Sequence, residues 1–123
     1  MIHLTLPFPP SLNHLYGMRG SQKYMKPEGR AYKQAVADIV SDVGVQTIEG
    51  RVAVFVRAFM PDKRRRDIMN LEKILSDSLT SAGVWLDDSQ IDDFRIVRGS
   101  VEKGGRVEVV ITEIQDGAEQ KAA

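Results

Sequence analysis

Ile2, Leu4 and Leu6 alternate with polar neighbours, and this period of two predicts a half-buried strand that stops at Pro7, Pro9 and Pro10. Residues 11–26 carry Asn, Gly, Ser, Lys, Arg and Tyr without apolar periodicity, which predicts a loop, unusually long for a domain of this size. Pro27 suits a first helical turn, and Tyr32, Val36, Ile39, Val40 and Val43 then recur at helical spacing until Gly44. Residues 51–60 are rich in β-branched and aromatic side chains and end at Pro61, so they predict a central strand covered on both faces. Ile68, Leu71, Ile74, Leu75, Leu79 and Ala82 predict a second helix over 67–82, with Gly83 as its stop. A connector, 84–90, places Trp85 and Leu86 in the core and leads to a strand over 91–101. Gly104-Gly105 then turns the chain into a returning strand through Val107, Val109 and Ile111. The expectation is one small α+β domain over 1–115, a mixed sheet with two main helices in the order β-α-β-α-β-β, and a polar, frayed tail over 116–123.

Composition narrows the chemistry. The 123 residues suit a single compact domain, and seventeen Lys plus Arg balance seventeen Asp plus Glu, so no global field recruits a polyanion and any basic patch must be local. The absence of cysteine removes disulfides, thiolate zinc sites and thiol nucleophiles. Two histidines, His3 and His14, are too few for a histidine-rich metal site. Carboxylates, lysines and arginines remain. No apolar run approaches a membrane span and no leader pattern opens the chain, so a cytoplasmic protein without a membrane partner is expected.

The stretch richest in chemistry is PDKRRRDIMNLEK, residues 61–73. Lys63, Arg64, Arg65 and Arg66 fall between the end of a strand and the start of a helix, where free backbone N–H groups also favour anions, so a phosphate can answer them; a solvated turn is the plainer alternative. Asp67 fits either a helix cap or a metal ligand, and the Asp87-Asp88 pair in VWLDDSQ either a capped turn or further hard oxygen ligands. Together with a lysine these acids form the inventory for Mg²⁺-dependent phosphodiester cleavage. On an α-helical wheel with Asp67 at zero, Ile68, Leu71, Leu75 and Ala82 fall between about 40° and 100°, while Met69 falls at about 200° and Lys73 at about 240°. Met69 is thus an apolar side chain on the polar face.

With these motifs in view the chain resembles the RusA family of Holliday junction resolvases. The likeness runs through PFPPSLNHLY, RRRDIMNLEK, SDSLTSAGVWLDDSQI and KGGRVEVVITE in order. It implies a small homodimeric endodeoxyribonuclease, often carried by prophages, that cuts four-way DNA junctions symmetrically in recombination and repair. Mg²⁺ would be its cofactor, or Mn²⁺ in its place, with no organic cofactor. Carried over by position, the resemblance makes Asp67, Asp88 and Lys73 catalytic, with Asp67 and Asp88, assisted by Asp87, as metal ligands. Lys63, Arg64, Arg65, Arg66 and Asn70 would contact DNA, joined by Asn13, Tyr16, Arg19 and Lys23 from the long loop. The second acid of the first motif falls on Met69, whose thioether is a poor donor for a hard ion. Two expectations follow: cleavage sustained by the remaining acids, Glu72 among them, or a junction-binding protein that cuts weakly or not at all. A small protein-interaction domain with a merely solvated basic turn is the third reading.

Overall fold

The structure, a computed structural model, describes residues 1–115; the tail expected over 116–123 lies outside the described residues. Strands β1 (Ile2–Leu6), β4 (Val52–Phe59), β5 (Ile91–Arg98) and β6 (Arg106–Glu113) form one sheet in the order β1-β6-β4-β5. β4 and β5 run parallel, and the other pairs are antiparallel. The parallel pair requires a crossover, supplied by a 3₁₀ turn (Ile68–Leu71) and the helix after it, Glu72–Ser81. The long helix Pro27–Val43 begins with proline in its first turn and ends at Gly44, whose φ of 78° closes it in the left-handed region. Numbered with the short helix Leu12–Leu15 as α1, these are α2 (Pro27–Val43) and α3 (Glu72–Ser81).

Both main helices pack on one face of the sheet. Val52, Val54, Val56 and Ala58 of β4 alternate inward with Leu4, Leu6, Val107, Val109 and Ile111. They meet Tyr32, Val36 and Val40 of α2 and Ile74, Leu75 and Leu79 of α3. β4 is central, as its composition requires, yet only one of its faces is covered in a single chain: Ala53 and Phe55 lie half-buried on the other, with Val110 beside Phe55 across the β4–β6 ladder.

Three local expectations are corrected. The predicted loop over 11–26 is structured, with α1 followed by a hairpin of β2 (Tyr16–Arg19) and β3 (Gln22–Met25), turned at Gly20 with φ 65°. β5 and β6 are not a hairpin, because β4 lies between them. Their connection instead wraps the end of β4, where Gly99 N–H donates to the Ala58 carbonyl and Glu102 N–H to that of Met60. Gly105 is held there at φ 68°, and a Cβ would lie 3.0 Å from the Phe59 carbonyl oxygen and 3.0 Å from the Phe8 side chain, so the close approach needs glycine. Trp85 is buried as expected, but Leu86 is 66% exposed, since the capped turn that begins beside it carries it outward.

Candidate active site

β4 ends at Phe59, and two residues on, Pro61, which has no N–H to donate, leads the chain into the basic run. Asp62 organises it. Its carboxylate accepts from the Arg64 backbone N–H at 2.9 Å and is forked by both terminal nitrogens of Arg66. These bonds, that of the Arg66 side chain foremost and the Arg64 backbone next, pull the Asp62 carboxyl down to about 2. The Arg66 carbonyl accepts from the Arg98 guanidinium at the end of β5. Arg66 is therefore engaged in holding the turn. Lys63, Arg64 and Arg65 are exposed, and Lys63 and Arg65 have no ion pair or hydrogen bond among the described residues.

Asp67 occupies the cap position of the first 3₁₀ turn with extended backbone, and its carbonyl accepts from Asn70 N–H at 3.1 Å. Its side chain makes no capping bond and stands exposed without a partner. The helix expected from residue 67 thus opens as 3₁₀, which alters the wheel, but Met69 remains on the solvent side, 83% exposed. Lys73, in the first turn of α3, places Nζ 3.6 Å from Asp77 Oδ2.

The second acidic turn, Asp88–Gln90, is built differently. The Asp87 carboxylate accepts from Ser89 N–H at 3.1 Å, and Gln90 Oε1 accepts from the N–H groups of Leu86 and Asp87, which completes a capping box. Hydrogen bonding from Ser89, its side chain first and its backbone second, holds the Asp87 carboxyl below the usual range. Gln90 Nε2 donates to the carbonyls of Ile48 and Gly50 at 2.9 and 2.7 Å, tying the turn to the start of β4. Asp87 is spent on the cap, whereas Asp88 projects exposed and unpartnered.

Asp67 and Asp88 lie at opposite ends of the sheet. Asp88 immediately precedes β5, while Arg66, next to Asp67, is bonded to Arg98 at the far end of that strand. Eight extended residues separate the two ends by roughly 23 Å. One chain therefore does not bring these carboxylates together, and among the described residues no three of His, Asp or Glu are grouped to hold a metal ion.

The hairpin that the periodicity missed carries Tyr16, Arg19 and Lys23. Lys23 Nζ sits 4.1 Å from the Tyr16 ring centroid, and Arg19 stacks over Tyr24. The Tyr16 hydroxyl is buried without a hydrogen-bond partner. Burial raises its pKa, Asp77 adds to the rise and Lys73 opposes it, which sets this phenol in the field of the Lys73–Asp77 pair. Asn13 is exposed, its carbonyl accepting from Lys26 Nζ. A cavity of about 730 Å³ adjoins Asp67, with Phe8, Pro10, Leu12, Met60, Arg65 and Asn70 among its walls. The Pro-rich segment 7–10 was the one local signal for it in the sequence.

Exposed carboxylates on two turns, a lysine one helical turn on and a run of exposed cations make up the chemistry of phosphodiester-cleaving nucleases. The chain belongs to one such family, endodeoxyribonuclease RusA, whose sequence profile matches residues 7–112. It is 44% identical over 116 residues to the crossover junction endodeoxyribonuclease RusA of Enterobacteria phage 82, covering 91% of this chain and 94% of that protein. It is also 44% identical to the enzyme of the same name from Escherichia coli K12, over 90% of this chain and 93% of the relative. Among the described residues no helix is long and apolar enough to cross a membrane.

Proposed function

We propose that this protein is a Mg²⁺-dependent endodeoxyribonuclease that resolves four-way DNA junctions as a homodimer, by paired symmetric cuts. The observation that carries the reading is the pair of exposed, unpartnered carboxylates, Asp67 and Asp88, each presented on its own 3₁₀ turn in a chain of this family. A single chain offers too few converging oxygens for a hard dication. Two copies laid antiparallel about a two-fold axis would set the Asp67 end of one against the Asp88 end of the other, twice over. The half-covered outer face of the sheet, with Ala53, Phe55 and Val110, leaves apolar surface for such a contact.

In this arrangement Asp67 and Asp88 would hold the ion, which when bound lowers the pKa of a water and shields phosphoryl charge. Lys73 exchanges Asp77 for the phosphate and stabilises the charge that develops on it. Lys63, Arg64 and Arg65 contact the backbone of the junction arms, while Arg66 keeps the run in place. Paired cuts in strands of like polarity require two identical sites, which the two-fold supplies.

A second reading is favoured by one residue. Met69 exposes a thioether where the family resemblance puts an acid, so the chain binds junctions and cuts them slowly. Junction-cleavage gels with and without Mg²⁺ on the wild-type chain and Met69→Asp separate the two. Restoring an anionic ligand is expected to raise cleavage at least about tenfold, because ligand charge sets affinity for the dication. Equal rates in both chains would remove Met69 from the site.

A further inference from the structure

The cavity beside Asp67 has a composition that phosphate-backbone binding does not use. Its floor is apolar, with Met60 and Leu71 both buried, and Phe8, Pro10 and Leu12 form its walls. Leu12 is a 41% exposed leucine on a short helix that faces this space. Arg64, Arg65 and Asn70 stand on the rim. The walls are preformed: prolines fix the backbone of the 7–10 segment, and the Tyr32 hydroxyl donates to the Pro7 carbonyl at 2.7 Å. Gly105 fits without room for a Cβ between the Phe8 and Pro61 side chains. At about 730 Å³ the space lies in the range of pockets that enclose an organic ligand, and is ample for one nucleotide.

We infer that this cavity receives a single unstacked nucleotide of the DNA, its base lying against Phe8, Pro10 and Leu12 and its phosphate on Arg64 and Arg65. The inference rests on the junction-binding reading above and deepens it by naming the part of the substrate held next to Asp67. A flat base has two apolar faces and a polar edge. The cavity answers with an apolar floor and with the Asn70 amide, exposed at its rim and free to pair with a base edge. Guanidinium groups at the mouth match the phosphate that follows the base. Taking a base out of the stack costs least where stacking is already broken, as at the exchange point of a four-way junction.

The test uses full-length protein without divalent ion, so that no strand is cut, and a four-way junction carrying 2-aminopurine at each position flanking the exchange point in turn. Protein is added to saturation as judged by gel shift on the same samples. Wild type is expected to raise emission at least about threefold at one position, since the base leaves its neighbours for a site without tryptophan or tyrosine walls. Leu12→Glu and Leu12→Asp each put a carboxylate in the apolar wall without adding a ring that could quench the probe, and each is expected to abolish the rise at saturating protein. A bound junction with no emission change at any position, or an undiminished rise in both Leu12 variants, overturns the inference and leaves junction binding standing. Failure to bind the junction at all overturns the proposed function, and this inference with it.

Discussion

The two 3₁₀ turns carry equivalent acids and are held in opposite ways. Around Asp88, every nearby polar group is committed: Asp87 caps the turn, and the Gln90 amide makes four hydrogen bonds, two to N–H groups and two to carbonyls. Asp88 alone is left over. Around Asp67 the capping position goes unused, and the turn is held by a backbone bond, by Arg66 on Asp62 and by Arg98 on the Arg66 carbonyl. One acid is free because its neighbours do the structural work; the other is free because it forgoes that work itself. A carboxylate that satisfied backbone donors would have its lone pairs occupied and be the weaker ligand.

The contrast can be broken chemically or mechanically. The largest effect is expected for Asp88→Asn in a Met69→Asp background: junction cleavage falls about 10²–10³-fold, as for removal of a main electrostatic group at a reacting centre. If the sites form across two copies, mixing inactive Asp67→Asn and Asp88→Asn chains in that background restores nicking of one strand, whereas sites formed within one chain stay dead after mixing. Next comes Gln90→Leu, which removes four part-buried hydrogen bonds, two to N–H groups of exposed residues and two to carbonyls of half-buried ones, and is expected to cost about 2–4 kcal/mol in urea unfolding. Smaller again is the direct comparison of caps. Asp87→Ala should destabilise by about 1 kcal/mol, and Asp67→Ala by less than about 0.5 kcal/mol because no bond is lost. Equal costs would show that the Asp67 side chain does cap its turn in solution.

The smallest effect belongs to Asp62. Its folded pKa of about 2 lies below the ordinary 3.8, so the stabilisation it provides is present above 3.8 and is lost as the pH falls through about 2. An NMR titration of its carboxyl carbon should show a midpoint near 2, and Arg66→Gln should return it toward the ordinary value. An unchanged midpoint would mean that the fork to Arg66 does not persist in solution.

What the sequence disclosed was local. Proline and glycine punctuation bounded α2, and the alternation of Val107, Val109 and Ile111 marked the buried face of β6. The Asp87 to Gln90 spacing carried a capping-box signature that, read alone, was indistinguishable from a metal motif. The β2–β3 hairpin escaped because its strands have polar, exposed faces and so no hydrophobic period, although Gly20 marked its turn. Strand order is a non-local property. Nothing in the spacing of 91–113 says that β4 inserts between β5 and β6, and the parallel crossover from β4 to β5 through α3 sets Asp67 and Asp88 at opposite ends. The acids were legible as candidates, and their separation was not.

The one tryptophan of the chain is sealed in the core at 1% exposure, its indole N–H donating to Thr80 Oγ1 at 2.6 Å. Its intrinsic emission therefore follows the opening of the crossover around α3 and lies out of reach of stacking nucleobases. The molecule thus carries a built-in optical gauge by which loss of folding is told apart from loss of DNA contact in any variant that keeps Trp85.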